Sequence, residues 1–321
     1  MQGYWQNSSG ISRIPSPCVP SGQTMKPRTP DIECVTDVRA RLGEGTCWDH
    51  RAQCLWWLDI YSKVIHRYEP GTGISSTFDA PSEPGCVAVR ETGGLIVAMR
   101  DGFYFFDPAS NRFAPIIDAE AHIAQTRMND GKTDRQGRFW SGTVSESKPP
   151  QSVASLYRLD SDLSCHRVVE GITCSNGLAW SPDSRTMYFA DSATPYVWAW
   201  DFDPVRGEVE NRRVFVDLSR FEGVCDGATV DAEGCYWLTM PFKAMVQRYD
   251  PAGKLMQTIA LPADVPTCCE FGGKDLNILF VTTATLGRAA LELTELPLAG
   301  GLFALDVGVR GLPARHFEQR L

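Results

Sequence analysis

No C-x-x-C pair occurs in this chain of 321 residues, although it carries eleven cysteines. An odd set without paired spacing argues against a disulfide framework and against a structural zinc site. Buried, reduced thiols in a cytoplasmic protein are expected instead. No apolar run approaches the ~18 residues of a membrane span. The first residues, MQGYWQNSSG, lack the basic start and apolar stretch of a secretion signal. Basic runs are missing too. Lys and Arg number 31 against 39 Asp and Glu, a net charge of -8. Neither nucleic acid nor an anionic membrane surface is therefore an expected partner. There is no G-x-S-x-G elbow, which argues against a serine esterase. No Gly-rich phosphate loop precedes a helix, and amphipathic helical periodicity is hard to find anywhere.

What the chain does have is turns and strands. It holds 28 Gly and 21 Pro, 10% aromatics with nine Trp, and 43% hydrophobic residues. That is ordinary globular material with ample core. Residues 1–32, rich in Pro, Ser and Gly, read as a disordered tail, with Met25 as an alternative start of translation. Residues 33–321 read as one domain.

The domain repeats itself. Strands begin at Cys54, Leu95, Arg138, Thr186, Cys235 and Ile278. Each follows a turn anchored at Asp49, Glu91, Asp134, Asp183, Asp231 or Asp275, and the anchors are 42, 43, 49, 48 and 44 residues apart. A further strand follows in every copy, from VIHRYEP at Val64 to GLFALDV at Gly301. A unit of this kind cannot bury both faces alone, so units of about 45 residues must pack side by side. The expected fold is all-β, a six-bladed β-propeller of four-stranded blades around a central channel. A strand at Cys34 to Leu42 is expected to complete the sixth blade and close the ring.

In a propeller the innermost strands line the channel, and their starts open on one rim. The strands from Cys54 onward are taken as innermost. The residues ahead of them include Gly43-Glu44-Gly45, Met128-Asn129-Asp130-Gly131, Ser175-Asn176-Gly177 and Cys225-Asp226-Gly227. Any one of these reads as a turn. Four at equivalent rim positions read as a site. Counting back five residues from the anchors selects Glu44, Asn129 and Asp226. Asn176 stands seven before its anchor, which calls for a longer or bulged strand, and aligning on the glycine selects Asp130 in place of Asn129. Two carboxylates and two amides make an all-oxygen site suited to one divalent ion: Ca, Mg, Mn, Zn or Fe(II).

The segments LGEGTCWD, RMNDGKTDRQGRFWSGT, SNGLAWSPD and CDGATVDAEGCYW resemble the senescence marker protein (regucalcin)/gluconolactonase/luciferin-regenerating-enzyme family of six-bladed propellers. The resemblance runs from about Glu33 to Phe317. It implies Glu44, Asn176 and Asp226 as metal ligands, and Arg127 and Asn129 as substrate contacts, favouring Asn129 over Asp130. Glu146 falls near the place of an acidic sugar contact, with Ser147 as its alternative. Cys225 stands where many members have Pro. The function implied is divalent-metal-dependent hydrolysis of an aldonolactone to its acid. Asp226 would act as base, or as ligand only. The alternatives are a calcium-binding regulatory propeller without catalysis and a hydrolase of another ester. The implied partner is a small sugar lactone.

Overall fold

The computed structural model describes residues 30–221 and 223–319. The segment expected to form a tail lies outside them, except that Asp31 and Ile32 already belong to a strand. Six antiparallel sheets of four strands make six blades, and in five of them the strands follow chain order from the channel outward. The innermost strands are Gly43–Asp49, Pro84–Val89, Thr126–Thr133, Ser175–Trp180, Ala228–Val230 and Pro266–Gly272. Each touches the innermost strands of both neighbours, closing a ring. One six-residue helix, Ala290–Glu295, is the only helix among the described residues.

The strands starting at Cys54, Leu95, Phe139, Thr186, Tyr236 and Ile278 are thus second in their blades, not innermost. The Gly-Glu-Gly and Asn-Asp-Gly segments that resemble turns are largely strand themselves. Crowding around the axis explains their composition. A Cβ on Gly131 would sit 2.5 Å from Cys86 Sγ, and one on Gly85 would sit 2.6 Å from the Met128 carbonyl oxygen. Glycine is what lets neighbouring inner strands approach this closely.

In blades three and five a turn aspartate ties the inner strand to the second strand of the same blade. Asp134 accepts the backbone N–H of Gln136 and Arg138 and the indole N–H of Trp140. Asp231 does the same for Glu233, Cys235 and Trp237. In blade four this place belongs to Ser181, whose backbone pairs with Thr186. Asp183 lies two residues further along, inside the turn.

The sixth blade is built from both ends of the chain. Asp31–Thr36 pairs antiparallel with Leu302–Asp306 as its outermost strand, so the closing strand starts and ends earlier than the expected Cys34 to Leu42. The C-terminal segment then crosses the far end of the channel. Gly311 bridges to Asp231, Phe317 bridges to Arg90, and Thr133 Oγ1 donates to the Arg315 carbonyl. Phe317 is fully buried in the core between blades.

Candidate functional site

At the opposite end from that segment, four polar side chains share one register position. Glu44, Asn129, Asn176 and Asp226 each lie four residues before the inner-strand residue that pairs with Leu55, Phe139, Met187 and Tyr236 respectively. The equivalence includes Asn176, so its strand is not unusually long. Its apparent offset came from counting to Asp183 rather than Ser181. The ladder is bulged at Asn176, as it is in four other inner strands. A bulge bends the strand and re-aims its side chains, which here turns them toward the axis.

All four are buried, at 5, 3, 1 and 1% exposure in chain order. The carboxyls of Glu44 and Asp226 lie close enough to act on one another directly. Burial drives both upward; charge on Glu44 and on Asp130, a third buried carboxyl, raises Asp226 further, and Asp130 raises Glu44, while Arg127 pulls both down and Asp226 pulls Glu44 down. Carboxyls buried together resist ionising unless positive charge offsets them. Asp226 Oδ1 has no hydrogen-bond partner although it is buried.

The amides are oriented by their neighbours. Asn129 donates to the Ser175 carbonyl at 2.8 Å and to Asn176 Oδ1 at 3.2 Å. Its own Oδ1 accepts from Arg127 Nη1 at 3.0 Å. Asn176 donates to Ser192 Oγ at 2.7 Å and toward Cys174 Sγ at 3.7 Å. Asp130 is buried beside Asn129 but accepts the Leu178 N–H at 3.2 Å, in the neighbouring blade. Cys174 and Cys225, which adjoin the site, are buried free thiols, and burial pushes both up, Cys225 to about 12.

Arg127 is buried, at 1% exposure. Its guanidinium lies 3.5 Å from Glu146 and 5.8 Å from the Tyr61 ring centroid. Glu146 is half-buried at the rim. Both its oxygens accept from Arg100, at 2.7 and 3.0 Å, and Arg100 also reaches Glu83 at 2.7 Å. Burial alone would raise the Glu146 carboxyl; the bonds from Arg100 outweigh it and hold it low. Glu146 rather than Ser147 thus joins the Arg127 cluster. Arg100, Tyr61 and Ser192 escape sequence reasoning, because each belongs to a turn between second and third strands with no repeated signal.

The donor set fits a hard divalent cation. It offers two carboxylates and an amide oxygen, and one carboxylate oxygen has no other partner. Among the described residues no group of three or more His, Cys, Asp or Glu is arranged to hold a metal ion; the set here relies on an amide for its third donor.

A six-bladed propeller with this buried carboxyl pair matches a known family. The description SMP-30/Gluconolactonase/LRE-like region matches residues 42–285, and the chain belongs to that family. Among similar proteins is a 6-deoxy-6-sulfogluconolactonase of Pseudomonas putida, 35% identical over 87% of this chain and 96% of its own. Another is regucalcin of Danio rerio, 36% identical over 88% of this chain and 96% of that one. A solved structure of a calcium-binding protein, regucalcin, from Agrobacterium tumefaciens superposes with a TM-score of 0.85. It is 26% identical and covers 89% of this chain and 96% of the other.

Proposed function

We propose that this protein hydrolyses the lactone of an aldonic acid with the help of one divalent metal ion. The observation that carries the reading is the buried Glu44–Asp226 carboxyl pair with its unpartnered oxygen. Such a pair is costly to bury without a function that needs it. The Pseudomonas relative, named as a sugar lactonase, supports the substrate class.

Glu44, Asn176 and Asp226 are the residues that would hold the ion. When bound, it supplies a Lewis acid for the lactone carbonyl and eases ionisation of water. Arg127, Asn129 and Glu146 hydrogen-bond the hydroxyls of the sugar and orient its ring. Asp226, ionised only with positive charge beside it, takes a proton from the attacking water. The water oxygen bonds to the carbonyl carbon, the ring C–O bond breaks, and the ring oxygen takes up the proton. The product is the free hydroxy acid. The partner is this small lactone, and a cytoplasmic location belongs to the same proposal.

The test is proton release from a panel of aldonolactones, using chelator-treated protein with calcium, magnesium, manganese, zinc or ferrous ion restored singly. Turnover that needs an ion and vanishes in Asp226→Ala is expected. Ion binding without turnover on any lactone would overturn it. That outcome would favour a calcium-binding propeller, a reading motivated by the description of the Agrobacterium structure.

A further inference from the structure

Ser192 lies in the turn after Thr186–Asp191, the second strand of blade four. Its hydroxyl touches two blades at once. It donates its single hydrogen to the Cys225 carbonyl at 2.6 Å. Cys225 immediately precedes Asp226 in blade five. With that hydrogen committed, the same oxygen can only accept from Asn176, and it does so from Nδ2 at 2.7 Å.

We infer that Ser192 is a positioning residue that fixes which way the Asn176 amide faces. An asparagine side chain has nearly the same shape in its two flipped states, so packing alone does not choose between them. Hydrogen bonding does. Both Asn176 N–H groups are taken up, one by Ser192 and one toward Cys174 Sγ. The oxygen is left on the side of Asn129. Flipping the amide would set Oδ1 against a hydroxyl whose only hydrogen is engaged, and would put N–H groups where a cation needs an oxygen.

The serine is held in place to do this. Its backbone N–H donates to the Cys174 carbonyl at 2.9 Å. The preceding Asp191 accepts the backbone N–H groups of Thr173 and Cys174, at 3.0 and 2.9 Å. Asp59 has the same role in blade one, gripping Arg41 and Leu42. The residue after it is Ile60, which has no hydroxyl. Blade one, whose inner strand carries Glu44, thus lacks the hydroxyl that blade four sets against Asn176.

The inference rests on the metal reading above, and its test separates the two. Calcium and manganese chloride are titrated calorimetrically into wild type, Ser192→Ala, Ser192→Thr, Asn176→Asp, and Asn176→Asp with Ser192→Ala. Outer-shell partners of metal ligands are typically worth about 10–100-fold in affinity. Ser192→Ala is expected to lose that much, and Ser192→Thr, which keeps the hydroxyl, should restore most of it. In the Asn176→Asp background both side-chain ends are oxygen, so orientation no longer matters and Ser192→Ala should add little further loss. Equal losses in both backgrounds, or binding by Ser192→Ala equal to wild type, would overturn the inference. Absence of ion binding by wild type would overturn the metal reading, and this inference with it. Should Ser192→Ala not fold, Ser192→Cys, a weaker acceptor of similar shape, carries the same expectation.

Discussion

Arg127 donates through Nη1 to Asn129 Oδ1 at 3.0 Å and to the Met128 carbonyl at 2.8 Å. The bond fixes the Asn129 oxygen on Arg127 and presents its amide hydrogens to blade four. A buried guanidinium doing this work is not replaceable by an ammonium, which lacks the planar fork. Arg127→Lys should lower kcat/KM for the lactone by about 10–100-fold, the value of one charge-assisted hydrogen bond at 1.5–3 kcal/mol. Steady-state kinetics on the substrate identified by the panel checks it. A variant within threefold of wild type would contradict the assignment.

Glu146 is gripped by Arg100 with both oxygens, so it is a fixed rim carboxylate. If it binds sugar hydroxyls, Glu146→Gln weakens substrate and transition state alike. KM should rise by about tenfold, the effect of roughly 1.4 kcal/mol, with kcat little changed. An equal fall in kcat and kcat/KM would instead place Glu146 in the chemical step.

Burial of the Glu44–Asp226 pair makes the metal-free site costly to ionise. Calcium or manganese added to chelated protein should raise Tm in a concentration-dependent way, by the amount that binding to the folded state alone provides. Asp226→Asn should abolish this rise while leaving the metal-free Tm no lower than wild type, because it removes one of two opposed carboxyls. Differential scanning calorimetry of the two proteins, with and without ion, decides it.

His66 lies face to face with Trp57, ring centroids 4.0 Å apart. Burial lowers its pKa to about 4, with Asp59 opposing the shift only in part. The folded protein therefore binds this proton later than the unfolded chain, whose imidazole titrates near the ordinary 6.5. The contribution of neutral His66 is fully present above pH 6.5 and is lost as pH falls toward 4, by about 1.4 kcal/mol per pH unit. Unfolding free energies from urea titrations of wild type and His66→Phe between pH 7.5 and 4.5 should diverge by that slope; parallel curves would refute it.

Phe317 anchors the C-terminal segment with no exposed surface, and its backbone N–H donates to the Val89 carbonyl at 2.8 Å. Phe317→Ala should cost about 3–5 kcal/mol in urea unfolding. Turnover under native conditions should persist, because the site is at the other end of the channel.

The repeat made the propeller legible, since six copies of one turn-and-strand pattern leave little choice of architecture. Its inner strands were harder to see. GEGTCWD and SNGLAW carry glycine and polar residues because of axial crowding and the site, and those are also the residues of turns. Asn176 stands out through its motif while counting to Asp183 misplaces it, because Ser181 takes the place that Asp134 and Asp231 hold in blades three and five. Ser192 and Arg100 left no trace in the pattern. Their importance comes from hydrogen bonds across blades, and a one-dimensional repeat does not contain these. The C-terminal segment was invisible for a related reason: outside strands it has no period to read.

The sixth blade joins residues 31–36 to residues 302–306. The first of these strands leaves the ribosome long before its partner exists. At about 5–20 residues per second, the wait is on the order of 10–50 s. Through that interval Asp31–Thr36 has no sheet to join, and five blades can form before the ring is sealed. Biogenesis thus ends with a single long-range event, and the nascent chain is most exposed to misassembly just before its last strands emerge.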